Sequence, residues 1–317
     1  EGVESTQGAK GAECAEGTEA TEGTAGVEAS AELVRIIKSH KESCRTARFM
    51  PGIEGTADGA RLASAAANGF AAISDVETGT RLWRAKLGAA GGSALLPLTA
   101  DTMAIGDDNG KVAVYDVRMA KPAKPAVQWT ESSEYISDLA HHKMNLCATS
   151  GDGTLAVYDL RHSGEKGLVA MSDFLEDEYG CLTIVKNGKK VVCGGQLGVL
   201  AIFTWGDFGD MKARIRGPKH SVDSIVKLTE DCVLTGSADG KIRTVAVDHR
   251  VHHSFQLGVL AEHGDSPVER LALSGDGRLL ASTSHGQPTV RLWYTEVAHK
   301  MLKAKNGTTG KAVASCC

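Results

Sequence analysis

LCATSGDGTLAVYD (Leu146–Asp159) reads as two short strands around one tight turn. Small and apolar residues fill its first half. Asp152-Gly153 follows, a pair that tolerates the positive φ a tight hairpin turn needs. In the second half Leu155 and Val157 alternate with their neighbours, so one face of the strand packs inward. The same figure recurs in LASAAANGFAAISD (Leu62–Asp75), MAIGDDNGKVAVYD (Met103–Asp116), VCGGQLGVLAIFTW (Val192–Trp205) and LTGSADGKIRTVAV (Leu234–Val247). A sixth copy, LASTSHGQPTVRLWYT (Leu280–Thr295), carries one extra residue and has Pro288 where the others have glycine. The turn glycines Gly69, Gly110, Gly153, Gly198 and Gly240 are 41, 43, 45 and 42 residues apart.

A period of about 40–45 residues, with short strands around a tight turn, is the mark of a four-stranded propeller blade. A further strand precedes the turn at Ile136–Ala140, Leu182–Val185, Ser224–Leu228 and Val268–Leu273. Weaker outer strands follow at Thr80–Lys86, Val127–Thr130, Leu168–Met171, Lys212–Arg216 and Phe255–Leu260. LVRII (Leu33–Ile37) reads as a strand without a blade of its own, completing the outer edge of a neighbour. Six repeats are visible. The first residue is not methionine, and the sequence leaves open whether the ring has six blades or a seventh upstream of a fragment.

Composition agrees with an all-β protein rich in turns. There are 37 glycines but only 7 prolines in 317 residues, which excludes collagen-like and proline-rich chains. No apolar run approaches the roughly 18 residues of a spanning helix, so no membrane association is expected. The net charge of −4 argues against a surface that holds nucleic acid by bulk charge, and no strong direct nucleic-acid binding is expected. Residues 1–30 hold seven glutamates and one lysine with almost no apolar side chains, and read as a disordered acidic tail. The division is thus a tail at 1–31, a propeller at 32–299 and a short basic tail at 300–317, with Lys300, Lys303, Lys305 and Lys311. None of the eight cysteines forms a C-x-x-C pair or a zinc spacing with histidine, and a reducing intracellular compartment is expected.

The repeats resemble WD40 repeats. The last comes nearest, with His263 before the inner strand, Ser282 on the next and Trp293 at the usual tryptophan. The resemblance implies that these three form a hydrogen-bonded structural network. Ser74, Tyr115, Tyr158, Phe203 and Val245 stand at the tryptophan position elsewhere, so the network is eroded there. Leu182–Asp210, Val222–Val247, Gly258–His285, the peptide YISDLA (Tyr135–Ala140) and the insertion Trp205-Gly206-Asp207-Phe208-Gly209 resemble, in order, the WD repeat-containing protein 55 family and its fungal counterparts. That resemblance implies seven blades, a lysine-rich carboxyl tail, residence in the nucleolus and nucleus (with the cytoplasm left open), and a scaffold role in processing large-subunit ribosomal RNA. The implied partners are pre-ribosomal assembly proteins. The chain departs from the family at both ends.

Motifs for catalysis are absent: there is no G-x-S-x-G, H-E-x-x-H, G-x-x-x-x-G-K-[ST] or G-x-G-x-x-G. No enzyme activity, cofactor or metal is expected. Asp107 and Asp108 sit in a repeated hairpin, and position 12 from Asp107 is Arg118 rather than the closing glutamate of a calcium loop. His141-His142 and His252-His253 read as surface loops, Asp173, Glu176, Asp177 and Glu178 as a solvated loop, and Cys316-Cys317 as an ordinary chain end. Trp205 and Phe208, in a Gly/Asp-rich loop, are either tucked against the blade or anchors for a partner. YDVR (Tyr115–Arg118) and YDLR (Tyr158–Arg161) resemble the Trp-Asp-x-Arg box by which some WD40 proteins dock on a cullin-ligase adaptor. Arg118 and Arg161 are therefore candidate partner contacts, and a ligase substrate receptor is the alternative function.

Overall fold

In the computed structural model, residues 34–52, 59–119, 124–174, 177–248, 254–287 and 289–304 are described. Twenty-three strands form six antiparallel sheets among them, arranged as a propeller. The first blade holds β1 (Cys44–Phe49), β2 (Arg61–Ala66), β3 (Phe70–Asp75) and β4 (Arg81–Lys86). The second holds β5 (Gly92–Pro97), β6 (Thr102–Asp107), β7 (Val112–Asp116) and β8 (Val127–Trp129), and the third β9 (Ile136–His142), β10 (Asn145–Ser150), β11 (Leu155–Asp159) and β12 (Leu168–Met171). In the fourth are β13 (Tyr179–Val185), β14 (Lys190–Gly195), β15 (Val199–Thr204) and β16 (Ala213–Arg216); in the fifth, β17 (Val222–Thr229), β18 (Cys232–Ser237), β19 (Lys241–Ala246) and β20 (Phe255–Glu262). The sixth has three strands, β21 (Val268–Leu273), β22 (Leu279–Ser284) and β23 (Val290–Tyr294). A helix at 296–304 follows and buries Ala298 in the core shared by the fifth and sixth blades.

Each innermost strand packs on the innermost strand of the next blade, whereas β1 and β21, at the two ends of the series, make no comparable contact. Phe49, Leu292 and Tyr294 on the two end blades are exposed accordingly. The second strands of the first five blades are buried on both faces, which explains why they are written in small residues such as ASAA, CATS and CGG, whereas β22 of the end blade alternates. Gly106, Gly194 and Gly236 lie against Ile136, Val222 and Val268 of the following blade, where an added Cβ would stand 2.5 to 2.8 Å from those side chains. Polar side chains stitch neighbours together: Ser93 Oγ donates to the Ile136 carbonyl at 2.6 Å, Asp138 Oδ2 accepts the Leu182 N–H at 3.1 Å, and Ser224 Oγ accepts the Leu271 N–H at 3.0 Å.

At all five repeated turns the glycine has φ between 70° and 79°. In the second blade Asp107 Oδ1 also accepts the Asn109 and Lys111 N–H groups, each at 3.0 Å, so its carboxylate serves the turn. Aromatic pairs stand where the eroded network leaves room. Trp83 meets Tyr115 of the next blade edge-on with centroids 6.0 Å apart, and Trp129 stacks on Tyr158 of the next blade at 4.7 Å. Contacts of this kind contribute about 0.5–1.5 kcal/mol each beyond the area they bury.

Several sequence expectations are corrected. Val34–Ile37 form no strand; this stretch runs along the first blade, where Arg35 donates to the Thr78 carbonyl and Ser39 Oγ lies 2.5 Å from Ser74 Oγ. Its apolar spacing suits a strand, but these contacts to the blade are made by side chains. His141 and His142 end β9 rather than occupying a loop. The helix at 296–304 crosses the expected boundary at residue 300. A seventh blade has no counterpart among the described residues. Residues 1–31, Glu176, His252, His253, Cys316 and Cys317 lie outside them.

Candidate functional site: the channel mouth and the opposite face

The innermost strands surround a central channel, and at its turn-bearing end opens a cavity of about 670 Å³. It is walled by residues that begin the inner strands (Arg45, Tyr135, Asp223, Glu269, Arg270) and by the hairpin turns that carry Asp108 and His285. Arg45 bridges to Asp108 of the next blade, and His285 Nδ1 lies 2.6 Å from Glu269 Oε1. Burial pushes the Asp223 carboxyl and the Tyr135 phenol above their ordinary ranges. Deeper on the third blade, burial likewise raises Asp138, partly offset by the N–H groups it accepts and by the fields of Arg48 and Arg270. The mouth therefore mixes carboxylates and guanidinium groups at close quarters, a surface suited to polar segments of a protein partner. Sequence reading missed it, because strand-starting residues from different blades converge only once the blades are assembled. Among the described residues there is no cluster of three or more histidine, cysteine or acidic side chains fit to hold a metal ion. No helix there is long and apolar enough to cross a membrane.

Arg118, Arg161 and Trp205 follow the ends of β7, β11 and β15, and so lie at the face opposite the turn glycines. Both arginines are exposed, with 68 % and 63 % of the side chain accessible. Each also grips its own neighbour in bidentate fashion: Arg118 Nε and Nη2 donate to Asp116 at 3.0 and 2.7 Å, and Arg161 Nε and Nη2 to Asp159 at 2.9 and 2.6 Å. The guanidinium groups hold both carboxyls below the usual carboxylate range. Trp205 and Phe208 meet edge-on at 5.4 Å, and His142 also meets Trp205 edge-on at 5.1 Å. Phe208 is only 4 % exposed and belongs to the core between the third and fourth blades. Its ring is unavailable as a surface anchor, since the loop folds back over the gap between those blades. Half-buried Trp205 keeps one accessible side.

In the sixth blade His263 Nε2 lies 2.6 Å from Ser282 Oγ, which also accepts the Trp293 indole N–H at 2.7 Å. The residues at 254–294 match the family model described as WD domain, G-beta repeat. The chain is 37 % identical over 285 residues to "WD repeat-containing protein 55" of Arabidopsis thaliana, covering 88 % of this chain and 74 % of the relative. The chain belongs to the WD repeat-containing protein 55 family. The human protein of that name is 32 % identical over 258 residues, covering 80 % of this chain and 63 % of the relative. "WD repeat-containing protein JIP5" of Cryptococcus neoformans is 38 % identical over 191 residues, covering 58 % and 48 %. This member of the family thus spans less than two thirds of the human relative and about half of the fungal one. Among solved structures, a chain of "Crystal Structure of Mitotic Checkpoint Complex" superposes with a TM-score of 0.70 at 16 % identity, covering 81 % of this chain and 76 % of that one. A computationally designed protein, Ika8, gives 0.60 at 21 % identity over 80 % and 72 %. At such identities these two show the fold alone. A WD40 propeller is typically a platform for protein–protein interaction.

Proposed function

We propose that this chain is a non-catalytic scaffold for large-subunit ribosomal RNA processing, acting in the nucleolus on protein assembly factors of the pre-ribosome. The observation that carries the reading is the similarity to the WD repeat-containing protein 55 family over 88 % of the chain. The open, polar channel mouth supports it, because a rigid ring with charged groups at its rim can hold a partner without altering it chemically. A second reading, a substrate receptor for a cullin-type ubiquitin ligase, draws on the exposure of both Arg118 and Arg161 at one face.

Affinity purification of the tagged chain from its own cells, with sedimentation of the extract and blots of ribosomal RNA precursors after depletion, separates the two. Co-sedimentation with large-subunit precursors and accumulation of unprocessed RNA are expected. Recovery of a ligase adaptor with normal RNA processing would overturn the first reading in favour of the second.

A further inference from the structure

A groove of about 270 Å³ lies on the fourth blade, beside the segment that enters it from the third, along the outer part of β15 and β16. Its floor is apolar, made by Val199, Ala201 and Met211. Two large apolar side chains stand beside it uncovered: Phe174 is 71 % exposed and Leu197 65 %. Single exposed apolar residues are ordinary, whereas a pair flanking an apolar hollow is a feature of docking surfaces.

Three polar observations say what such a surface would meet. Tyr179 lines the groove with its ring fully buried, yet its hydroxyl has no hydrogen-bond partner. A buried hydroxyl left unpaired is unfavourable, and a ligand carrying an acceptor would relieve it. Arg214 donates from Nε to the Met211 thioether at 3.0 Å, and neither Arg214 nor Arg216 has an ion pair among the described residues. The third carboxylate-seeking group nearby, Lys212, is already held by Asp207 at 2.8 Å. Asp177, the acidic group in the wall, is engaged by the Leu197 N–H at 2.9 Å. Strand alternation puts Arg214 and Arg216 on one face of β16, opposite buried Ile215; Arg214 lines the groove, and Arg216 stands beside Val199 in the sheet register.

We propose that this groove docks a short acidic peptide segment of another protein, with one large apolar side chain seated on Val199, Ala201 and Met211 and flanking carboxylates on Arg214 and Arg216. The apolar floor favours a peptide over a nucleic acid, whose phosphates would use the arginines and leave the hollow empty. The chain's own first thirty residues have the right charge but only two valines as branched apolar groups, too small for the seat. This partner class goes beyond the ribosomal role and does not depend on it.

To test it, a phage-displayed library of random dodecapeptides is selected on the immobilised full chain, and enriched peptides are measured by fluorescence anisotropy. The expected winners share Leu, Ile, Phe or Trp flanked by Asp or Glu. Against them, Arg214→Glu with Arg216→Glu should weaken binding by about tenfold or more, and Leu197→Ala by a similar factor, with melting temperatures unchanged. Lysine-substituted peptides should prefer the charge-reversed variant. Tyr179→Phe should weaken binding several-fold without loss of stability. The proposal falls if no peptide is enriched over bare support, or if enriched peptides bind the Arg214/Arg216 and Leu197 variants as tightly as the parent. It falls equally if a short single-stranded RNA displaces them and itself binds independently of Leu197, since that describes a polyanion surface.

Discussion

His40 Nε2 lies 2.8 Å from Ser64 Oγ in the first blade, the contact that His263 Nε2 makes to Ser282 Oγ at 2.6 Å in the sixth. The two histidines thus brace the two ends of the blade series. Burial is the main cause that lowers both pKa values, helped by Arg84 and Arg81 around His40 and by Arg291 near His263.

Acidification should therefore destabilise the fold. Both imidazoles are held neutral in the folded state with pKa below 6.5, so the unfolded chain binds protons first. Their contribution is complete above that pH and is lost as pH falls through it toward the folded values. The melting temperature should be flat between about pH 7 and 8 and drop below about 6.5. His141, lowered chiefly by burial, contributes in the same direction. His40→Asn with His263→Asn should melt lower at neutral pH with a shallower acid slope; an unchanged slope in calorimetry would refute the assignment.

Phe208 and Trp205 should behave differently although they touch. Phe208→Ala removes a buried ring, and loss of such a ring costs roughly 3–5 kcal/mol. Urea unfolding should show that cost for Phe208→Ala and a clearly smaller one for Trp205→Ala. Equal effects would mean the loop is packed as one unit.

Gly198 and Gly206 offer a contrast at the same backbone angle. Their φ values are 76° and 84°, but a Cβ at Gly198 would fall 1.8 Å from the Pro218 carbonyl oxygen while one at Gly206 meets nothing. Gly206→Ala should cost about 1–2 kcal/mol, the strain of the left-handed region alone. Gly198→Ala should cost distinctly more by denaturant titration, because the turn must move off the neighbouring loop.

Arg118→Ala with Arg161→Ala should leave the melting temperature within error, since exposed ion pairs contribute little. Under the scaffold reading the double variant still sediments with ribosomal precursors. A folded variant that loses a ligase adaptor and fails to restore RNA processing would transfer the function to the second reading.

Most of the propeller was legible because its signals are local. The Asp-Gly and Asn-Gly turns, the small-residue strands and their spacing each depend on a few adjacent residues, and the strand at Val268–Leu273 falls where the pattern puts it. Long-range placements were not legible. Nothing in LVRII tells that its neighbour His40 reaches Ser64, although a histidine shortly before an inner strand, as at His263, is the signal that finds it. Phe208 looked like a candidate for either surface or core, and only the fold-back of its loop onto the third blade decides between them. The groove beside Arg214 joins residues from Phe174 to Arg214 that lie far apart in the chain, so no short stretch signals it.

The glycines of the second strands imply a rule for how this ring can change over time. At Gly106 and Ile136, or Gly236 and Val268, the distance between adjacent blades is set by a missing side chain on one and a branched one on the other. A methyl gained on the first has nowhere to go unless the second shrinks, since the interface is between two sheets already in contact. Positions 106 and 136 should therefore be inherited as pairs, with bulk migrating across the interface in compensated exchanges. A wedge left uncompensated would be felt in the curvature of the whole ring, so drift at these few sites is collective even though every blade folds from its own local code.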